Sequence, residues 1–249
     1  MKFGHRASRF INFVINDVMP PVLRDSRWLM WPLFRLAFGA EKARLFMAFR
    51  EQVTQMSDAD MAAVYRETAS CDLKQTSDLS APVLERIVAR CPQQQAVLDV
   101  GCGRGEFLRA MQQRGIPGVG IDLGRDCPQA MSGRYLVGRT EALPLADNSF
   151  DTVVCAHVLE HIPDVFAALA ELRRVAQRQL VVVLPVERPY RFGFNLHVWF
   201  FPYRLNVLQV MRPPAGCQWS LERLGNEWLY IESRSRSSCW LTGVSVPLS

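Results

Sequence analysis

The sequence predicts a doubly wound α/β domain, a mostly parallel seven-stranded sheet covered on both faces, with an N-terminal helical extension. Three observations carry that expectation. Continuously apolar runs alternate with helical patterns from Gln95 to Pro185, as strands buried between layers of helices require. The first of these runs ends in Gly101-Cys102-Gly103-Arg104-Gly105 and opens directly into a helix. Before residue 81 the composition changes to aromatic and basic residues with few acids.

The elements follow in order. Ser80 as N-cap and Pro82 in the first turn start a helix over Ala81–Arg90. Gln95–Val100 is the first strand and Glu106–Arg114 its crossover helix, stopped by Gly115 and Pro117. Val119–Asp122 and Tyr135–Val137 read as the second and third strands, and Thr152–Ala156 as the fourth. A helix over Val165–Val175 precedes the buried fifth strand, Gln179–Pro185. Trp219–Leu224 and Trp228–Glu232, joined by Gly225-Asn226, form a closing hairpin. Such sheets bind ligands at the carboxyl ends of their strands, where strand order reverses, which groups Gly101, Asp122 and His157 around one crevice.

The glycine turn lets a ligand lie against the main chain, and charge narrows its nature. A dinucleotide fingerprint places its third glycine three residues after the second and leaves the helix N-terminus free for pyrophosphate. Here that position is Glu106, whose carboxylate favours the helix start and repels phosphate. A nicotinamide oxidoreductase is therefore disfavoured. S-adenosylmethionine carries no phosphate, and Asp122 lies about the twenty residues downstream expected of a ribose-binding acid.

With these residues the chain resembles the class I S-adenosylmethionine-dependent methyltransferases, in the broad group with small-molecule, lipid and sugar substrates. The resemblance runs from about Ala96 to Glu187 on four motifs in the family's order: Val97-Leu98-Asp99-Val100-Gly101-Cys102-Gly103-Arg104-Gly105; Gly120-Ile121-Asp122; Glu141 to Leu145 followed by Asp147 to Asp151; and Ala156 to Asp164. It implies a Rossmann-like fold and S-adenosyl-L-methionine held by Asp99, Gly101, Cys102, Gly103, Asp122, Leu123, Thr140, Glu141, Ala142 and His157. Asp99 is expected to position the glycine turn through backbone hydrogen bonds. The chain departs from the family at Arg139, where relatives carry an acid for the adenine amino group; backbone around Thr140 and Glu141 is the substitute.

Residues 1–80 form the extension and residues 81–249 the methyltransferase domain, with an aromatic, proline-rich insertion at about 188–214 on the substrate side. Between Met1 and Arg50, nine Lys and Arg stand among nine large aromatics with only Asp17, Asp25 and Glu41 as acids. That pattern suits either a helical lid over the cofactor cleft or contact with anionic lipid headgroups. Pro20-Pro21, Asp25 and Pro32 interrupt the segment, and no uncharged run approaches the ~20 residues of a span. The seven cysteines show no CxxC pair and no metal spacing, and no cleavable signal peptide is seen, so the reading is a reduced, cytoplasmic protein without a metal, its membrane contact confined to the inner face. A net charge of +5 without a dense lysine run excludes a nucleic-acid footprint.

A sulfonium methyl is already activated, so alignment and water exclusion dominate, and a base is needed only where the nucleophile must lose a proton. His157, at the tip of the fourth strand, and His197, in the insertion, are the candidates. His161 belongs to the following helix start, Glu160 is structural, Tyr190 and Arg191 are at most substrate contacts, and Cys155 is a small strand hydrophobe. The expected function is methyl transfer to O, N or C of a small, hydrophobic or lipid- or glycan-linked acceptor. The alternative, motivated by Arg139, is a cofactor-binding relative that has lost transfer and serves as an interaction module.

Overall fold

The strand order in the computed structural model is β3-β2-β1-β4-β5-β7-β6. Residues 19–57, 60–61, 63–64, 67, 79–91, 95–124, 134–193 and 195–234 are described. The chain divides into two units, Met1–Thr76 with Glu187–Pro202, and Ser77–Val186 with Tyr203–Ser249.

The second unit holds β1 (Val97–Val100), β2 (Gly118–Asp122), β3 (Tyr135–Val137), β4 (Phe150–Ala156), β5 (Ala176–Pro185), β6 (Gln218–Leu224) and β7 (Glu227–Ser233). The first five pair in parallel, and β7 runs antiparallel to both β5 and β6. The described residues thus form the expected seven-stranded, mostly parallel Rossmann-like sheet. Asp99 pairs with Gly120 on one side and Val154 on the other, which brings the carboxyl ends of β1, β2 and β4 level at the point where strand order reverses.

Helices α4 (Ala81–Val88), α5 (Glu106–Gln112), α6 (Val165–Val175) and α7 (Arg204–Met211) belong to the same unit. The apolar faces of α4 and α5 meet the sheet: Val83, Ile87, Phe107, Leu108 and Met111 share a buried cluster with Val154, Val181 and Val183. Burial on both faces explains why β5 tolerates the uninterrupted run Leu180-Val181-Val182-Val183-Leu184.

Several element ends differ from expectation. β5 starts three residues early because Phe150 pairs with Ala176, and the exposed Gln177 and Arg178 gave no apolar signal for that extension. β1 begins two residues later than predicted, while α4 and α5 stop two residues short. Ser80 occupies the N-cap of α4, but its side chain makes no capping bond; its backbone N–H donates instead to Glu227.

The first unit contains α1 (Pro21–Arg24), α2 (Arg27–Phe38) and α3 (Ala40–Gln52). Gly39 joins α2 to α3, and Met30, Phe34, Ala43, Phe46, Met47 and Phe49 bury together with Phe192 and Leu196. The Phe34 and Phe46 rings meet edge to face at 6.3 Å. Pro32 does not break α2, because the helix is held by burial of Met30 and Phe34 on its opposite side. No described helix is long and apolar enough to cross a membrane.

The aromatic and basic residues of this unit divide between core and surface. Phe34 and Phe46 are core residues, and Arg24 and Arg50 turn inward to backbone carbonyls. Lys2, Phe3, Arg6, Arg9, Phe10, Phe13 and Asp17 of the extension, and Cys71, Cys127 and Cys239, lie outside the described residues.

Candidate functional site

The glycine turn folds over the end of β2. The Gly101 and Cys102 N–H groups donate to Ile121 O at 2.8 and 3.2 Å. Gly101 has φ +75°, and a Cβ there would lie 2.1 Å from Val158 Cγ2, so only glycine lets the turn pass the residue that follows β4 and His157. Gly103, at φ +48°, faces open space: a Cβ there would meet nothing within 4 Å. Its N–H donates to Asp122 Oδ2 at 2.8 Å, while Oδ1 accepts from Gly124 N–H at 3.0 Å.

Asp122, not Asp99, therefore ties down the turn. The expected backbone bonds from Asp99 are absent among the described residues. Its carboxyl is buried, and desolvation together with the neighbouring Asp122 charge pushes it up to about 8. The reason is placement: Asp99 lies within β1, whose backbone groups already pair with β2 and β4, whereas Asp122 ends its strand facing free N–H groups. Cys102 is buried against Gly120, and Leu123 is exposed. Glu106 occupies the first turn of α5, 3.8 Å from Arg109, so a carboxylate stands where a phosphate would otherwise sit.

The loop from Gly138 to Asp147 is held by α6. Glu171 accepts from Leu143 N–H at 2.9 Å, and Arg174 donates to the carbonyls of Leu143 and Leu145 at 3.0 and 2.7 Å. Arg174 also pairs with Glu171, whose carboxyl that hydrogen bond holds below its ordinary range. Within the loop Thr140 is buried and Ala142 exposed, and Arg139 reaches Glu141 Oε1 at 3.0 Å. The departing cation at Arg139 is thus matched by an adjacent carboxylate.

His157 ends β4 in a left-handed conformation, φ +55°, fixed by its N–H donating to Val183 O at 3.0 Å. Its Nε2 lies 3.1 Å from Glu227 Oε1 and its Nδ1 3.4 Å from Glu160 Oε1. Glu227 also accepts from Ser80 N–H at 3.2 Å. Burial pushes the Glu227 carboxyl up, but the His157 and Ser80 hydrogen bonds outweigh it and leave the group below its ordinary value. A general base needs a lone pair directed at substrate, and both His157 nitrogens face carboxylates. The geometry gives His157 a bracing position between β4 and β7.

His197 lies in the first unit, buried, with Nδ1 2.5 Å from Glu187 Oε2. Its segment hangs on Arg50 of α3, which donates to the carbonyls of His197, Asn195 and Arg191 at 3.0, 2.9 and 3.3 Å and lies 4.4 Å over the Tyr190 ring. Tyr190 is buried and serves internal packing, whereas Arg191 is exposed and pairs with Glu51 at 2.6 Å. Cys155 is buried within β4 and burial pushes its thiol up, as a strand hydrophobe requires.

Sequence reading missed Glu227, Glu187, Val158 and the Glu171–Arg174 pair. Only Glu227 carried a signal: it is an acid opening the otherwise apolar run Trp228-Leu229-Tyr230-Ile231. Val158 stood inside the Ala156–Asp164 motif with no role read for it, and Glu187, Glu171 and Arg174 lie outside the motif residues they hold.

Residues 98–183 match the family model described as a methyltransferase domain. The chain is 38% identical over 165 residues to the ubiquinone biosynthesis O-methyltransferase of Hahella chejuensis, covering 61% of this chain and 63% of that protein. It is 30% identical over 155 residues to an uncharacterized methyltransferase of Mycobacterium sp. (strain KMS), covering 60% and 58%. The chain spans about three fifths of the length of the curated relatives it matches. Among solved structures, a SAM-dependent methyltransferase from Archaeoglobus fulgidus superposes with a TM-score of 0.54 at 18% identity, covering 68% of this chain and all of that one.

Proposed function

We propose, for a chain that belongs to the class I S-adenosylmethionine-dependent methyltransferases, that it binds S-adenosylmethionine in its second unit and methylates a small hydrophobic acceptor. The supporting observation is the joint placement of an open glycine turn at Gly103 and the strand-end carboxylate of Asp122, linked at 2.8 Å. The residues fit that cofactor: Gly103 offers backbone without a side chain, and Glu106 tolerates a ligand that lacks phosphate. S-adenosylmethionine supplies a methyl group already activated on a sulfonium.

The chain's own residues then bind, orient and deprotonate. Gly101 and Gly103 line the turn, and Asp122 accepts hydrogen bonds from ribose hydroxyls as it does from Gly103 and Gly124 N–H in this structure. Thr140, Glu141 and Ala142 present the loop that α6 holds for the adenine side. Where the acceptor must lose a proton, His157 and His197 are the side chains to test for that role. The O-methyltransferase relative makes a phenolic or quinol hydroxyl the first acceptor class to test. The same reading brings the first unit to a membrane surface, where lipid-linked acceptors reside.

Calorimetric titration of the purified protein with S-adenosylmethionine and S-adenosylhomocysteine tests the reading. Micromolar binding of both is expected, followed by S-adenosylhomocysteine release with a phenolic acceptor. Absence of binding by folded protein overturns it in favour of an interaction module, and binding without turnover over a panel of phenol, amine and carbon acceptors does the same.

A further inference from the structure

Helix α2 is apolar around most of its circumference yet buries only one side. Its sequence, Arg27-Trp28-Leu29-Met30-Trp31-Pro32-Leu33-Phe34-Arg35-Leu36-Ala37-Phe38, contains two charged residues, both arginine, and no acid. Met30 and Phe34 face the core of the first unit. Trp28, Pro32 and Leu36, spaced four residues apart, share the opposite face, and Trp28 and Leu36 are 75% and 79% exposed. Leu33 is exposed beside them, and Val22 of the preceding turn is 83% exposed.

A helix with this pattern ordinarily lies in a core or a membrane. Twelve residues reach about 18 Å, short of the ~30 Å hydrocarbon thickness, so α2 does not span. Its flanks decide the occupant. Arg27 and Arg35 are exposed at the two ends of the apolar face, and Arg44 is exposed on α3. Of the nearby acids, Asp25 accepts from Arg191 N–H and Glu51 pairs mainly with Arg191 and more weakly with Arg27, which leaves the exposed Glu41 at the start of α3 beside three exposed arginines. An apolar face with a tryptophan and a cationic border complements a negatively charged lipid surface, with the helix lying in the plane of the headgroups.

We infer that the outward face of α2, Trp28, Pro32, Leu33 and Leu36 bordered by Arg27 and Arg35, is an interfacial contact for anionic lipid. The inference rests on the membrane part of the proposed function and names the surface responsible. Arg24 and Arg50, although basic, take no part, since they hold the 187–202 segment.

Co-sedimentation of the full-length protein with vesicles of phosphatidylcholine, alone or mixed with phosphatidylglycerol, tests it. The parent protein is expected to sediment with the mixed vesicles and far less with phosphatidylcholine. Trp28→Ser/Leu36→Ser should weaken partitioning on the order of tenfold, and Arg27→Ala and Arg35→Ala about fivefold each, an effect lost at high salt. Circular dichroism and S-adenosylmethionine titration of each variant establish that the fold and the cofactor site are intact. A parent protein that ignores both vesicles overturns the inference and the membrane reading together. Equal sedimentation of parent and Trp28→Ser/Leu36→Ser overturns the α2 face alone. Loss in that variant of a concentration-dependent dimer, without vesicle binding by the parent, assigns the face to a second copy and overturns the lipid surface. Cofactor binding is read separately, so its failure does not bear on α2.

Discussion

Gly103 donates its backbone N–H to Asp122 Oδ2 at 2.8 Å, joining the turn after β1 to the end of β2 by a charge-assisted hydrogen bond. One carboxylate thereby shapes the turn and, on the proposed reading, also accepts from the ribose of the cofactor. Asp122→Ala removes both roles and leaves Gly103 N–H without its acceptor. Affinity for S-adenosylmethionine should fall by about 10- to 100-fold, the range of a lost hydrogen bond to a charged group. Calorimetric titration reads it, and unchanged affinity places the ribose elsewhere.

Gly101 is set by a second close approach. An alanine at φ +75° is strained, and its methyl would enter Val158 Cγ2 at 2.1 Å. Gly101→Ala should destabilise the second unit by about 2–4 kcal/mol. Val158→Ala removes the clashing methyl, so the double variant should recover part of that loss and retain the backbone strain. Thermal unfolding of the four proteins of this cycle measures the coupling, and strict additivity contradicts the contact.

Asp99 gives a pH signature. Its folded-state value of about 8 lies above the ordinary carboxyl value of 3.8. A raised value means that the folded protein holds a proton which the unfolded chain releases. The stabilisation is fully present below about pH 4 and declines as pH rises towards about 8. Asp99→Asn keeps the buried group neutral at every pH. Its melting temperature should exceed the parent's by a few degrees at pH 8, with the difference shrinking towards pH 5. Parallel profiles for the two proteins sink this assignment.

The legibility of the chain followed range. The strand order around β1, β2 and β4 was readable because each strand is a short apolar run bounded by turn residues, and Gly101 and Asp122 were readable because a ligand turn needs them at fixed spacing. Arg139 stood out as a departure from the family, but its pairing with Glu141 needed coordinates. His157 was legible as a candidate, but its contact with Glu227 was not, since Glu227 approaches it from 70 residues away. Arg50 looked like one more surface cation, because backbone carbonyls carry no sequence signature as hydrogen-bond acceptors.

The bracing position of His157 separates from catalysis in a kinetic experiment. His157→Asn suits the left-handed backbone, which asparagine adopts readily, and removes the contacts to Glu160 and Glu227. Glu227→Gln weakens the same brace without touching the ring. Both variants should raise KM for the methyl donor several-fold and leave the pH limbs of kcat in place. His197→Gln tests the other candidate: loss of an ionisation from its kcat profile would assign the proton acceptor to His197. Loss of an ionisation from the kcat profile of His157→Asn would restore His157 as the proton acceptor.

Arg50 tests how the 187–202 segment is held. Three carbonyls converge on one planar guanidinium that also covers Tyr190. Burial pulls its pKa down from the ordinary arginine value, yet a guanidinium stays charged across the accessible pH range. Lysine keeps a charge but offers a single ammonium on a flexible stem, which cannot span carbonyls from Arg191, Asn195 and His197 at once. Arg50→Lys should therefore destabilise the first unit by about 1.5–3 kcal/mol, the scale of hydrogen bonds to a charged group. Limited proteolysis should then cut within 187–202 earlier than in the parent, while S-adenosylmethionine affinity stays within about twofold, because Gly103 and Asp122 lie in the other unit. Unchanged protease resistance in 187–202 would show that the aromatic packing of Tyr190 and Phe192 holds the segment without the guanidinium.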